Sequence, residues 1–245
     1  MAQEFKIVEG AFVVADAHYS HKRPELLEFI KAIHSKKLHP SQLILMGDIF
    51  DALFGQIPLT HKKNEEAIRL INEISLEIEV IYLEGNHDFN LEKIFPHVKM
   101  FPISSQPLAC RFENKKVLLA HGDIEAPLGY RIYTAIIRNS TVLYLLRALD
   151  FLTNHSVLKR LDEYLGKKDD CREFVGLDKF ISKRLGQKYK CDYFVEGHFH
   201  QNRSIKMGDS IYINLGAFAC NQRYFIVKSA QDIELLQEKI FSKGI

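Results

Sequence analysis

The feature that most constrains this chain is an alternation. "AFVVADAHYS" is a β-rich run ending in polar residues, and "PELLEFIKAIHSKKL" follows it with Leu26, Leu27, Ile30 and Ile33 at helical spacing. "SQLILMGDIFD" again runs strand into loop, "KKNEEAIRLINEI" is an amphipathic helix, and "IEVIYLEGNHD" is another strand into a loop. Strands separated by helices need crossover connections, so the pattern argues for an α/β fold with a largely parallel sheet at its centre.

At 245 residues, 47% of them hydrophobic, the chain suits one large domain or one domain with an insertion. Further strands are expected in "PLACRFENKKVLLAHGD", a hairpin around Asn114, and in "CDYFVEGH", "SIYINLGAF" and "RYFIVK". Between these lies a stretch of different character, residues 127–190. Its apolar positions, among them Ile132, Ile136, Leu143, Leu158, Leu161 and Leu165, recur at helical spacing. It holds 13 Lys and Arg against 7 Asp and Glu, a net of +6, whereas the whole chain carries only +2. The global balance does not mark a nucleic-acid binder, so any electrostatic partner is a local matter. "MAQEFKIVEG" lacks the basic start and apolar run of a signal peptide, and no segment reaches the ~18 apolar residues of a membrane span. A cytoplasmic protein is expected. Cys110, Cys171, Cys191 and Cys220 lie far apart with no CxxC pair, which leads to an expectation of reduced thiols, at least three of them packing residues.

The strand ends carry the chemistry: Asp16 and His18; Asp48 and Asp51; Asn86, His87 and Asp88; His121 and Asp123; His198 and His200. In a parallel α/β sheet ligands bind beyond the carboxyl ends of the strands, so loops spread along the chain converge on one site. Carboxylate, imidazole and amide oxygen without thiolate suit Mn, Fe or Zn, and a carboxylate such as Asp48 can bridge two ions. Each pair alone is ordinary, because Gly, Asp and Asn are common turn and cap residues. Five such pieces, each behind a strand, are not. His21, His34, His39, His61, His97 and His155 lie in polar or helical surroundings and are read as surface residues.

In this order "DAH", "GDIFD", "GNHD", "HGD" and "GHFH" resemble the signature of the calcineurin-like metallophosphoesterase superfamily, over about Phe12 to Phe218 apart from the insertion. The resemblance implies a four-layer α/β/β/α sandwich. It also implies a first divalent metal held by Asp16, His18, Asp48 and His200, and a second held by Asp48, Asn86, His121 and His198. His87 and Asp51 resemble the general-acid dyad of ordinary family phosphoesterases, with Asn86 beside them.

A narrower resemblance is to the UDP-2,3-diacylglucosamine diphosphatases of lipid A synthesis. It rests on "GDIFDALFG", "GNHDF", "AHGD" leading into a tyrosine-bearing helical segment, and "INLGAF". It implies hydrolysis of the pyrophosphate to UMP and 2,3-diacylglucosamine 1-phosphate, with two ions, Mn2+ by preference, and with residues 127–190 as a helical lid inserted in the single domain 1–245. Where the best-known form of those enzymes carries Arg and Glu, this chain has His87 and Asp51. That departure keeps a second reading open: a phosphodiesterase or phosphatase acting on another substrate, such as a nucleotide. A metal-stabilised scaffold without turnover is disfavoured, since all seven ligand positions are kept. Basic residues interleaved with aromatics in the lid suit an amphiphilic substrate and anionic headgroups better than nucleic acid. Peripheral attachment to the inner face of the membrane is therefore expected, with Arg131, Tyr133 and Arg138 as candidate substrate contacts.

Overall fold

The computed structural model describes residues 4–186, 188–229 and 235–242. In chain order the first half contains β1 (Phe5–Lys6), β2 (Phe12–Val14), α1 (Glu25–His34), β3 (Leu43–Leu45), β4 (Leu53–Phe54), α2 (Pro58–Lys63), α3 (Glu65–Ser75), β5 (Val80–Leu83), β6 (Asp88–Phe89), β7 (Lys99–Phe101), β8 (Leu108–Phe112) and β9 (Lys115–Ala120). The helices α4 (Leu128–Arg138), α5 (Ser140–Leu152), α6 (Ser156–Leu165) and α7 (Leu177–Leu185) follow. Then come β10 (Tyr193–Glu196), β11 (Arg203–Met207), β12 (Ser210–Asn214), α8 (Phe218–Asn221), β13 (Arg223–Val227) and β14 (Leu236–Ile240).

Two six-stranded sheets result, ordered β14-β13-β2-β3-β5-β7 and β1-β8-β9-β10-β12-β11. In the first, β2, β3, β5 and β7 are mutually parallel, as the alternation requires, and β13 closes antiparallel on β2. In the second, β9, β10 and β12 are parallel, and the hairpin around Asn114 pairs β8 with β9. The later strands do not all build the second sheet: β13 and β14 return to the first, and β1 crosses to the second.

The strands are apolar on both faces because both faces are covered. Phe12 and Val14 of β2 point to a layer formed by α1 and α3 through Phe29, Ile30, Leu70 and Ile71. Val13, one residue out of phase, points the other way and meets Ile44, Ile81, Cys110, Leu119 and Val195 between the sheets. The outer face of the second sheet, with Leu118, Phe194 and Tyr212, is covered by Leu177, Ile181 and Leu185 of α7. The layers are α/β/β/α.

The helical stretch 127–190 therefore divides. Only α4 to α6 lie over the strand ends, docked through Leu143 and Leu158 against Ile57 and Phe89, while α7 is the fourth layer of the sandwich. Periodicity cannot separate these fates, because both kinds of helix need an apolar face. The cysteine expectation is corrected as well: Cys171, between α6 and α7, is disulfide-bonded to Cys220 in α8. They are 49 positions apart in the chain, and only the packing of the lid's tail on α8 brings them together. Cys110 and Cys191 are free. Cys110 fits the packing role, buried between the sheets with its thiol pushed up to about 12 by that burial.

Candidate metal centre

The turns after β2, β3 and β10 carry residues in the left-handed region. Asp16, His18, Asp48, His198 and His200 all have φ between 44° and 63°, a region that residues other than Gly seldom occupy. Two glycines let neighbouring turns close on each other, Gly197 between the two sheets and Gly85 within the first. A Cβ on Gly197 would collide with the Asp16 carboxylate, and one on Gly85 would collide with Asp48. The carboxylates brace their neighbours: His198 N–H donates to both oxygens of Asp16 (3.0 and 2.9 Å), and His87 N–H donates to Asp48 Oδ1 (2.8 Å).

The seven expected ligand side chains come together from five turns, those after β2, β3, β5, β9 and β10. Ligand atoms of Asp16, His18 and His200 lie within 4.8 Å of one another, as do those of Asp48, His121 and His198, and those of His18, Asp48 and His87. Asn86 Oδ1 is 3.2 Å from His121 Nε2, which is 3.4 Å from Asp48 Oδ2. Divalent cations fit this donor set on two observations. Both ring nitrogens of His18 are buried without a hydrogen-bond partner, and His121 Nε2 faces His198 Nδ1 at 3.2 Å, an arrangement that calls for a positive charge between them. Outer contacts also orient the rings, with His121 Nδ1 donating to the Met46 carbonyl (3.0 Å) and His200 Nδ1 to that of Asp170 (2.5 Å).

The electrostatics agree. Burial opposes charge on every one of these groups, yet the carboxylates win at two histidines. Asp16 lifts His200 to about 9, and Asp48 holds His121 well above the imidazole range. Burial and the neighbouring His121 push His198 down to about 4. Against their own burial, Asp16 is lowered by His200 and Asp48 by His121. Excess negative charge is thus balanced by protons on imidazoles, protons that a bound cation would displace.

His87 and Asp51 lie beside the clusters, but not as a carboxylate–imidazole pair. His87 Nδ1 is 2.9 Å from the main-chain carbonyl of Asp51, whereas the Asp51 carboxylate is 4.0 Å from it and 3.5 Å from His18 Nδ1. Burial lowers the His87 pKa, with Asp48 opposing. Its Nε2 faces Lys168 Nζ at 3.4 Å. Of the candidate substrate contacts, Tyr133 lines an apolar cavity under the lid. Arg138 is turned inward, donating to the Gly85 carbonyl (2.9 Å) and Asp123 (3.1 Å). Arg131 lines a different cavity with Asp123, Glu125 and Tyr189. His21, His34, His39 and His97 are exposed, while His61 and His155 are half-buried and hydrogen-bonded to Phe54 and Asp150.

Three residues hold roles that the sequence does not reveal. Asp88 accepts from the N–H groups of Asp48, Ile49, Phe50 and Gly85 and from the Tyr82 hydroxyl, tying two ligand turns together. Lys168 reaches His87 and Asp170 reaches His200 from "KKDD", a tetrapeptide that reads like any charged surface loop.

A four-layer sandwich with adjoining Asp/His clusters at the converged strand ends defines a metal-dependent phosphohydrolase. The sequence profile of the calcineurin-like phosphoesterases matches residues 11–202, and the chain belongs to that family. Among its relatives is a UDP-2,3-diacylglucosamine hydrolase of Pseudomonas fluorescens (strain SBW25), 25% identical over 206 residues that cover 80% of this chain and 82% of that one. Another, of the same name from Histophilus somni (strain 129Pt), is 23% identical over 79% of this chain and 85% of its own.

Proposed function

We propose that the protein hydrolyses the pyrophosphate bond of UDP-2,3-diacylglucosamine with two Mn2+ ions, releasing UMP and 2,3-diacylglucosamine 1-phosphate. The observation that carries this reading is an apolar cavity of about 450 Å³ beneath the lid, lined by Phe89, Leu143, Leu146, Leu158 and Leu161, that opens directly onto Asn86, His87 and His198. Such a cavity beside a phosphohydrolase centre suits a lipid-bearing diphosphate.

Asp16, His18, Asp48 and His200 would hold the first ion and Asp48, Asn86, His121 and His198 the second. When bound, the pair of cations clamps a phosphoryl group and lowers the pKa of a water. The chain's own groups do the rest. Lys168 faces both the apolar cavity and the open cleft of about 530 Å³ on the other side of His87, so its ammonium sits where a diphosphate would pass between them. The Asp51 carbonyl fixes the His87 ring. A phosphate monoester, with a second pKa of about 6, departs with little help, so pyrophosphate cleavage asks little of His87.

The position of His87 supports a second reading, a phosphodiesterase with an alkoxide leaving group, which does need a proton. On the outer surface of the lid, Leu145, Leu149, Phe151 and Leu152 are exposed beside Arg147 and Arg160. This supports peripheral attachment to an anionic membrane. No helix among the described residues is long and apolar enough to cross one.

The test is product identification by mass with Mn2+-loaded protein given UDP-2,3-diacylglucosamine or, separately, a simple phosphodiester. UMP formation at clearly higher catalytic efficiency supports the first reading; diester turnover without UMP overturns it. Leu146→Glu, which charges the cavity wall, is expected to raise KM for the diacylated substrate about tenfold or more and leave the small diester unaffected. Equal effects on both would remove the acyl role of the cavity.

A further inference from the structure

The segment from Gly166 to Gly176 joins the lid to α7 and forms one wall of the open cleft. Lys168, Asp170, Arg172 and Phe174 stand across it from His18, Asp48 and His87. Polar and apolar contacts attach the wall to the sandwich: Phe174 packs on Phe180 and Phe199, and Gln201 Nε2 donates to the Arg172 carbonyl at 3.1 Å. Asp170 pairs with Arg23 at 2.5 Å, its carbonyl accepts from His200 Nδ1, and Phe174 N–H donates to Gln201 Oε1 at 2.7 Å. Beyond the main chain that runs on into α7, Cys171–Cys220 cross-links the wall covalently.

Both ends of that bond abut the metal centre. Cys171 directly follows Asp170, the residue whose carbonyl orients His200. Cys220 lies in α8, whose Phe218 and Ala219 N–H groups donate to the carbonyls of Ala15 (2.9 Å) and Asp16 (3.1 Å). The cross-link therefore ties the support of His200 to the turn that carries Asp16, and these two ligands are themselves 3.2 Å apart. Cys171 is exposed, so an external thiolate can reach its sulfur.

We propose that Cys171 and Cys220 are a redox-active pair whose disulfide positions the wall of the cleft over the metal centre and whose reduction by a dithiol releases it. A thiolate of the reductant attacks the Cys171 sulfur, breaking the bond to Cys220 and forming a mixed disulfide. The reductant's second thiolate then displaces Cys171 and closes the reductant's own disulfide. The protein gains two electrons and two protons as two thiols, and the reductant loses the same. The released segment no longer pins the Asp170 carbonyl on His200, nor Lys168 beside His87. Loss of an outer partner of a metal-bound histidine typically weakens metal binding 10- to 100-fold. In a reducing compartment, disulfides of this kind serve as transient or sensing bonds. The proposal rests on the ligand reading of Asp16 and His200 and is independent of the substrate.

The experiment uses the full chain. Protein isolated without reductant is denatured and alkylated with iodoacetamide, before and after dithiothreitol, and weighed intact. Two adducts, on Cys110 and Cys191, are expected before reduction and four after. In parallel, Mn2+ affinity is measured by electron paramagnetic resonance on oxidised protein, on protein reduced and desalted without oxygen, and on the same sample reoxidised. The expected result is an affinity about tenfold weaker on reduction, restored on reoxidation, with Cys171→Ser and Cys220→Ser fixed at the reduced value and indifferent to dithiothreitol. Four adducts before reduction, or equal affinities in the two states of the wild-type chain, would overturn the proposal. Because the wild type alone gives that comparison, a serine variant that fails to fold does not decide it. Redox-linked Mn2+ affinity without UMP production would uphold this proposal while removing the substrate reading above.

Discussion

Five of the seven proposed ligands hold φ between 44° and 63°, a conformation that costs a residue other than Gly roughly 1–2 kcal/mol. The strain persists because buried hydrogen bonds over-determine the turns, and Asp88 gathers the largest share of them. Its carboxylate, raised to about 7 chiefly by burial and then by Asp48, accepts from four main-chain N–H groups and a tyrosine hydroxyl. An amide keeps one acceptor oxygen but turns NH2 toward the donors. Asp88→Asn is therefore expected to lower unfolding stability by about 2–4 kcal/mol and to weaken Mn2+ binding; an unchanged denaturation midpoint would remove this role. Asp48→Ala, which takes away the shared ligand, is expected to abolish turnover, and an unaffected rate would sink the two-metal reading. His87→Ala separates leaving groups: a loss of about 10²–10⁴-fold on an alkoxide-leaving diester with little change on the pyrophosphate. At this scale the converging donor set was legible, because five Asp-, His- and Asn-bearing pieces, each behind a strand, are chemically unusual together. Asp88 as a brace and Lys168 as a cleft residue were not, since a buried acceptor and a solvated charge have the same letters.

Among the elements of the lid, one side chain joins two helices. Asp150, in the last turn of α5, accepts from Leu158 N–H at the start of α6 (2.9 Å) and from His155 Nδ1 (2.8 Å). An acidic group at a helix N-terminus also complements the dipole there. Burial would raise the Asp150 pKa, but the Leu158 N–H and His155 bonds outweigh it and the value is lowered. A carboxyl depressed in the folded state stabilises fully above its unfolded value of about 3.9 and loses that contribution as pH falls through the lower folded value. Asp150→Asn is expected to cost about 1 kcal/mol at pH 7, and its thermal midpoint should converge on wild type in acid. A constant gap down to about pH 2 would contradict the assignment. The lid helices themselves were visible in the leucine spacing. Which of them cover the site and which covers a sheet was not, because an apolar stripe does not say what it packs against.

Across the whole molecule, the two halves of the centre ride on different sheets, and their registration depends on buried contacts far apart in sequence. Arg184 of α7 donates to the carbonyls of Gly122 (2.8 Å) and Ile124 (3.0 Å) and pairs with Glu196, a carboxylate raised to about 7 chiefly by burial. It thereby ties the fourth layer to the turn after His121 and to the strand before His198. Arg184→Met leaves Glu196 buried without its cation, an expected loss of about 3–5 kcal/mol. Adding Glu196→Gln is expected to recover part of it in denaturation midpoints, and full additivity would show the two are independent. By itself the sequence determined the alternating strands and helices, the donor types at each strand end and the order in which they occur, because periodicity and side-chain chemistry are local properties. Only the tertiary structure decided that β13 and β14 return to the first sheet, that α7 leaves the lid, and that Cys171 meets Cys220. It also decided that Asp16 and Asp48 of one sheet face His121, His198 and His200 of the other. Those outcomes follow from burying Val13, Ile44, Ile81, Leu119 and Val195 against one another between two sheets, a long-range packing that no window of the sequence contains.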